Sequence, residues 1–369
     1  MMKRLLLMVL AGLMLGAGVG ARDAAKTDAS GQWVYAVVDG GAWITGWVAE
    51  PEGLLVIPDA LDGLGVVGVG EDSFAYCGDI TGVVIPEGVR IIGENAFNTC
   101  GGLADVSIPG SVTHIGEGAF AFCGELGRVD LPEGVISIGG WAFDSCASLA
   151  GLSLPEGLTS IGYCAFIGCF GLTELSLPES LTSIGERAFA WCGLSEVSLP
   201  GGLTDIGVNP FAMCKLTFID VSPDNPAYAQ IEGVLFDTRD NTLVAYPGGR
   251  EGAYAIPEGT AIIGEGAFRE CIGLTGVSLP GSVQRIGDSA FIGCAGLTSI
   301  VIPEGTTSIG EGAFFRCEGL VSVSIPGSVT EIGESAFVAC REVVLSVGEG
   351  SFAERYARDN DIAFDYGGN

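Results

Sequence analysis

Apolar positions recur along this chain in one fixed figure. In the stretch Leu103 to Cys123, Leu103, Val106 and Ile108 are apolar, while Asp105 and Ser107 between them are polar. This alternation of period two predicts a short half-buried strand. Pro109 closes it, because proline has no N–H to give a ladder and so sits at strand ends. A Pro-Gly or Pro-Glu-Gly corner follows. Next come a second apolar pair, Val112 and Ile115, then Gly116 and the segment Glu117 to Cys123. Ala119, Phe120 and Cys123 are spaced like the inward face of a single helical turn.

The figure is stamped down the chain. Phe74, Phe97, Phe120, Phe143, Phe166 and Phe189 succeed one another every 23 residues, and Phe211 follows after 22. Phe268 comes after 57, and Phe291, Phe314 and Phe337 resume the 23-residue step. Self-similarity at this period predicts a solenoid. Burying one such phenylalanine is worth up to ~3 kcal/mol, but only once neighbouring rungs cover it. A single rung therefore cannot fold alone, and both ends need caps.

The ends supply them. Trp33 to Val38, the turn Asp39-Gly40-Gly41 and Ala42 to Val48 read as a β-hairpin whose Trp33, Tyr35, Trp43 and Trp47 seal the first rung. Ser351 to Arg358 reads as a short helix with Phe352 and Tyr356 on one face, and Ile362-Ala363-Phe364 as a last strand. Inside the long gap, Gly233 to Phe236 and Leu243 to Tyr246 flank Asp237 to Thr242 as an inserted hairpin, either an internal cap or a protruding binding element. The expected organisation is an export signal at 1–21, a linker at 22–31, a β-hairpin cap at 32–58, a repeat array at 59–349 with an insertion at about 220–255, and a C-terminal cap at 350–369.

Composition narrows the partners. The net charge of −29, from 45 acidic and 16 basic residues, argues against nucleic acid and anionic membrane, which need clustered Lys and Arg. The acidity keeps an otherwise apolar stack soluble. Lys3 and Arg4, the apolar run Leu5 to Val19 and the small residues Val19-Gly20-Ala21 have the form of a cleaved export signal. No later stretch is long enough to cross a bilayer, so the mature chain is expected to be exported and not integral to a membrane.

The whole unit, Leu-x-x-Val-x-Ile-Pro-x-x-Val-x-x-Ile-Gly-x-x-Ala-Phe-x-x-Cys, resembles the BspA-type leucine-rich repeat, and Leu297 to Cys317 is a near-consensus copy. The resemblance runs from about Trp33 to Tyr366 and takes in Asp224-Asn225-Pro226, Gly233-Val234-Leu235 and Ser351 to Ala357. It implies a β-rich α/β solenoid of about 11–12 rungs. It also implies an exported or surface protein, since family members are linked to adhesion to host matrix proteins or to other microbes. Neither the immunoglobulin-like modules nor the wall anchor of the larger adhesins is expected in this chain.

Catalytic signals are weak. Gly63-x-Gly65-x-x-Gly68 matches a dinucleotide fingerprint by letters, but Val66, Val67 and Val69 run on as a strand where a helix is needed. His114 is the single histidine, and neither a nucleophile elbow nor a His-Glu-x-x-His motif occurs. No enzyme activity, cofactor or metal centre is expected. The glutamates Glu71, Glu94, Glu117, Glu186, Glu265, Glu311 and Glu334 offer one carboxylate per rung, too few for a calcium cage. Eleven cysteines, Cys77 through Cys340, share one column. Equivalent β-carbons on stacked rungs lie ~4.8 Å apart, more than the ~3.8 Å a disulfide prefers, so buried thiols are expected, with off-column Cys164 the most reactive.

Two surfaces remain for a partner. The strand face carries an outward column Ser107, Asp130, Ser153, Ser176, Ser198, Ser278 and Ser324 beside Asp105, Arg128, Glu174, Glu196 and Phe218, a flat polar surface unlike a sugar-stacking one. The opposite side carries aromatics, and Phe122, Trp141, Phe170, Trp191 and Phe315 are the candidate protein contact. Inter-rung packing is the alternative use for such rings. The expected role is a monomeric, non-catalytic protein-binding or adhesion module facing host matrix or microbial surfaces; the alternative is a self-associating envelope component.

Overall fold

The computed structural model describes residues 24–367, so the export signal expected at 1–21 lies outside the described residues. The chain forms a β-solenoid of about 14 turns. Beyond the eleven phenylalanine rungs, turns without the motif come from the hairpin strand Gly41–Trp47, the insert strand Thr242–Ala245 and the terminal helix with its strand.

Each rung has three sides. The first is the proline strand, such as Asp105–Ser107, in which Val106 is buried and its neighbours are exposed. The second is a two-residue strand, such as His114–Ile115, paired in parallel to Ile91–Ile92 on one side and Ser137–Ile138 on the other. The glycine after each such isoleucine is required by close approach. A β-carbon on Gly116 would lie 2.6 Å from the carbonyl carbon of Gly93 one rung back.

The third side differs from the expected helical turn. Glu117 to Cys123 is a run of turns, because two residues per rung are left-handed: one just before the alanine, as at Gly118 or Trp141, and one just before the cysteine, as at Phe122 or Trp191. A helix cannot pass through such residues. The turns close locally, with the Cys123 amide donating to Phe120 O at 3.4 Å, and rung to rung, with Phe120 N–H donating to Ala142 O at 2.7 Å and Phe122 N–H to Asp144 O at 2.7 Å. Hydrogen bonds thus join neighbouring rungs on the turn side as well as along the strands.

The core is a file of rings. Phe74 through Phe189 stack with centroids 5.1–5.3 Å apart and nearly parallel planes. Trp33 closes the first end edge-on to Phe74, and Tyr356 of the helix Phe352–Asp359 closes the other edge-on to Phe337. The column cysteines lie beside the file. Cys100 Sγ donates to Phe74 O at 3.1 Å and Cys146 Sγ to Phe120 O at 3.2 Å, and the bond recurs as far as Cys340 and Phe314. Burial pushes Cys146, Cys214 and Cys294 up to about 12.

The long gap is folded into the stack. Tyr228–Ile231, Val234–Asp237 and Thr242–Ala245 form an antiparallel meander, and the last strand pairs in parallel with Ile262–Ile263. Val234, Leu235 and Leu243 are fully buried, so the insert is an internal cap and does not protrude. Tyr246 takes the phenylalanine position and stacks on Phe268 at 4.9 Å. Between Phe211 and Tyr246 the ring file is interrupted by a cavity of about 30 Å³. The strand Leu64–Val69 carries the glycine-rich letters, and Gly68 is there because a β-carbon would strike the Trp43 ring at 2.5 Å.

Candidate protein-contact surface

The turn face displays aromatic side chains through its backbone geometry. Phe122 (φ 60°), Trp141 (φ 51°) and Trp191 (φ 64°) occupy left-handed positions, which hold glycine in some rungs, such as Gly118, Gly168 and Gly293, and mostly small or polar residues, such as Asn95, Thr99 and Ser145, in others. Bulky residues adopt this conformation rarely and at a cost of about 1–2 kcal/mol. Their side chains are turned away from the file, leaving Phe122 50% and Trp191 48% exposed.

Four of the five predicted contact residues fall on consecutive rungs. Phe122, Trp141, Phe170 and Trp191 each mark one step of the ladder from Phe120 to Phe189. Phe315 does not join them. It lies beyond the insert, about 24 Å away at the rung spacing, and is half-buried. Phe170 stands just past its column cysteine and is exposed.

Tyr163 belongs to the same patch and was not among the predicted residues. Its ring meets Trp141 edge-on at 4.0 Å, and its hydroxyl donates to Glu117 Oε1 at 3.2 Å, two rungs back. It reaches there by lying over Gly140, where a β-carbon would stand 2.5 Å from its ring. The available signal was a glycine one repeat ahead of a tyrosine in a column otherwise rich in glutamate. Cys164, partly exposed, sits beside Trp141, and burial raises its thiol above the ordinary range.

Elsewhere the turn face carries a column of glutamates, among them Glu71, Glu94 and Glu117. Burial, and then the charges of Glu71 and Glu117, raise the Glu94 carboxyl. Among the described residues no group of three or more His, Cys, Asp and Glu is placed to hold a metal ion, and no helix is long and apolar enough to cross a membrane. His114 is exposed, its Nδ1 2.8 Å from Thr113 Oγ1.

The repeat geometry agrees with sequence comparison. The profile of the BspA type leucine rich repeat region matches residues 67–192, 159–238 and 253–351. This chain belongs to the BspA-type leucine-rich repeat family. Among solved structures, a leucine rich cell surface protein from Faecalibacterium prausnitzii A2-165 is 34% identical with a TM-score of 0.75, over 94% of this chain and 99% of that one. The pneumococcal vaccine antigen PcpA is 18% identical with a TM-score of 0.66, over 94% and 99%, and supports the fold alone. A leucine-rich repeat protein from Bacteroides ovatus ATCC 8483 is 25% identical with a TM-score of 0.50, over 96% and 100%. No curated protein matches. The matches to this leucine-rich repeat protein are to structural repeats and indicate no catalytic domain.

Proposed function

We propose that this leucine-rich repeat protein is exported to the cell surface or beyond and binds another protein without catalysis, through the aromatic patch of the turn face. One observation carries the reading. Phe122 and Trp191 hold strained left-handed positions and spend their ring area on solvent, although neither contributes to the buried file. Trp141, Tyr163 and Phe170 extend the patch over the rungs between them. Aromatic anchors of this kind dominate protein interfaces. The relative described as a cell surface protein supports the location.

The test is a binding assay of the mature chain against host matrix proteins and against microbial surface extracts. Trp191→Ala and Phe122→Ala should each weaken capture by about tenfold or more while leaving thermal melting nearly unchanged. Undiminished capture by the double variant would remove the patch from the interface.

A further inference from the structure

The proline-strand sheet, on the other side of the molecule, is not continuous. Gly151–Ser153 pairs only with Arg128–Asp130, and Glu196–Leu199 pairs only with Phe218–Val221. The segment between them, 173–177, forms no strand, and its N–H and C=O groups enter no backbone ladder among the described residues. The interruption falls where the next corner is shortened: Leu172 lies three residues after Cys169, but Leu194 only two after Cys192.

The opened sheet leaves a groove of about 490 Å³. Glu174, Glu196, Phe218 and Asp220 line it, and all four are exposed. No ion pair holds any of these three carboxylates among the described residues, although Asp130, two rungs before the break, is bridged to Arg128 at 2.8 Å. The insert fixes the aromatic wall. Ile219 N–H donates to Gly233 O at 3.0 Å, and Gly233 (φ +77°) passes so close to the Phe218 ring that a β-carbon would collide with it.

We propose that this groove binds an extended, arginine-bearing segment of a partner protein. A guanidinium lies against the Phe218 ring, within hydrogen-bonding reach of the Glu196 and Asp220 carboxylates, and Glu174 takes a second cation. Arginine fits better than lysine because its planar fork pairs with carboxylates bidentately and stacks on aromatic faces. The free backbone groups of 173–177 give a main chain lying across the groove its own partners. The occupant follows from charge complementarity: three unpaired carboxylates and a ring on adjacent rungs of a chain with net charge −29. The site is independent of the turn-face aromatics, so either can fail alone.

The probe is a fluorescein-labelled Gly-Arg-Gly-Arg-Gly peptide followed by anisotropy, beside its citrulline counterpart, which keeps the shape and lacks the charge. The arginine peptide should bind, and the citrulline peptide should not. Glu174→Gln with Glu196→Gln should weaken binding by about tenfold, and Phe218→Leu, which keeps the packing against Gly233 but removes the ring, by about threefold. Glu311→Gln with Glu334→Gln, equal in charge but on the turn face, should leave it unchanged. Equal losses in both glutamate pairs, or no effect of Phe218→Leu, would reduce the binding to general acidity and overturn the proposal. So would failure of the arginine peptide to bind. Self-association that is lost in the groove variants would assign the groove to a second copy, and would equally overturn it.

Discussion

The thiol of each column cysteine is a donor placed where the backbone has none to spare. Phe120 O accepts the Cys123 amide within its own rung and the Cys146 thiol from the next. Cys146→Val keeps the volume and removes that second donor, and should cost ~0.5–1.5 kcal/mol in denaturant melts. With thiols such as Cys146, Cys214 and Cys294 pushed up to about 12, titration of the folded, unreduced chain at pH 8 should modify Cys164 first and the column only after unfolding. A fast-reacting column would refute its burial. Among the rings, Phe166→Ala opens a cavity in the file and should cost ~3–5 kcal/mol. Trp191→Gly should stay within about 1 kcal/mol of the parent, because glycine relieves the left-handed strain there. The inward residues were legible in the sequence, since Phe, Cys and Ile recur at fixed phase. The left-handed turns were not, because Ala119, Phe120 and Cys123 fit a helical face equally well until the backbone angles are known.

The end caps are held by carboxylates that must stay ionised. Hydrogen bonds from Ser30 and Trp33 hold Asp28 down to about 2, and the Tyr35 hydroxyl, 2.7 Å from Asp62, lowers that carboxyl as well. Arg358, the Gly350 amide and the Tyr366 hydroxyl do the same for Glu354, whose own amide is capped by Ser351. A carboxyl depressed on folding contributes stability above its unfolded value and loses it as pH falls through the folded one. Both caps should therefore loosen between about pH 4 and pH 2, seen as early amide exchange in 26–47 and 350–366. Glu94 runs the other way. Its raised carboxyl adds stability at low pH that is lost as pH rises through the folded value, so Glu94→Gln should raise the melting temperature slightly at pH 7 and not at low pH. Both caps were readable from their aromatics, Trp33, Tyr35, Trp43 and Trp47 at one end and Phe352 and Tyr356 at the other. The strand Tyr228–Ile231 was not, because Tyr-Ala-Gln-Ile is too short to show alternation. The gap at 173–177 was not either, because its residues follow the strand pattern of the other rungs.

Across the whole molecule, the ring file breaks once, between Phe211 and Tyr246, so the array is two stacks joined by the insert. Nearest-neighbour coupling then predicts two melting transitions, with Phe291→Ala lowering only the one that exchange measurements assign to residues after 246. A single transition shifted as a whole would show that the insert transmits cooperativity fully. The insert also grips the preceding rung through side chains of its own. Arg239 bonds Thr204 O and the Tyr228 hydroxyl, Tyr228 accepts the Ile206 amide, and Asn225 donates to Pro200 O and Leu203 O. Near-identical rungs can dock one repeat out of place during folding with almost no loss of contacts, a degeneracy that strand pairing cannot resolve. A segment that recognises one rung by its particular carbonyls removes that ambiguity, and gives a chain of copies a fixed point from which its order is counted.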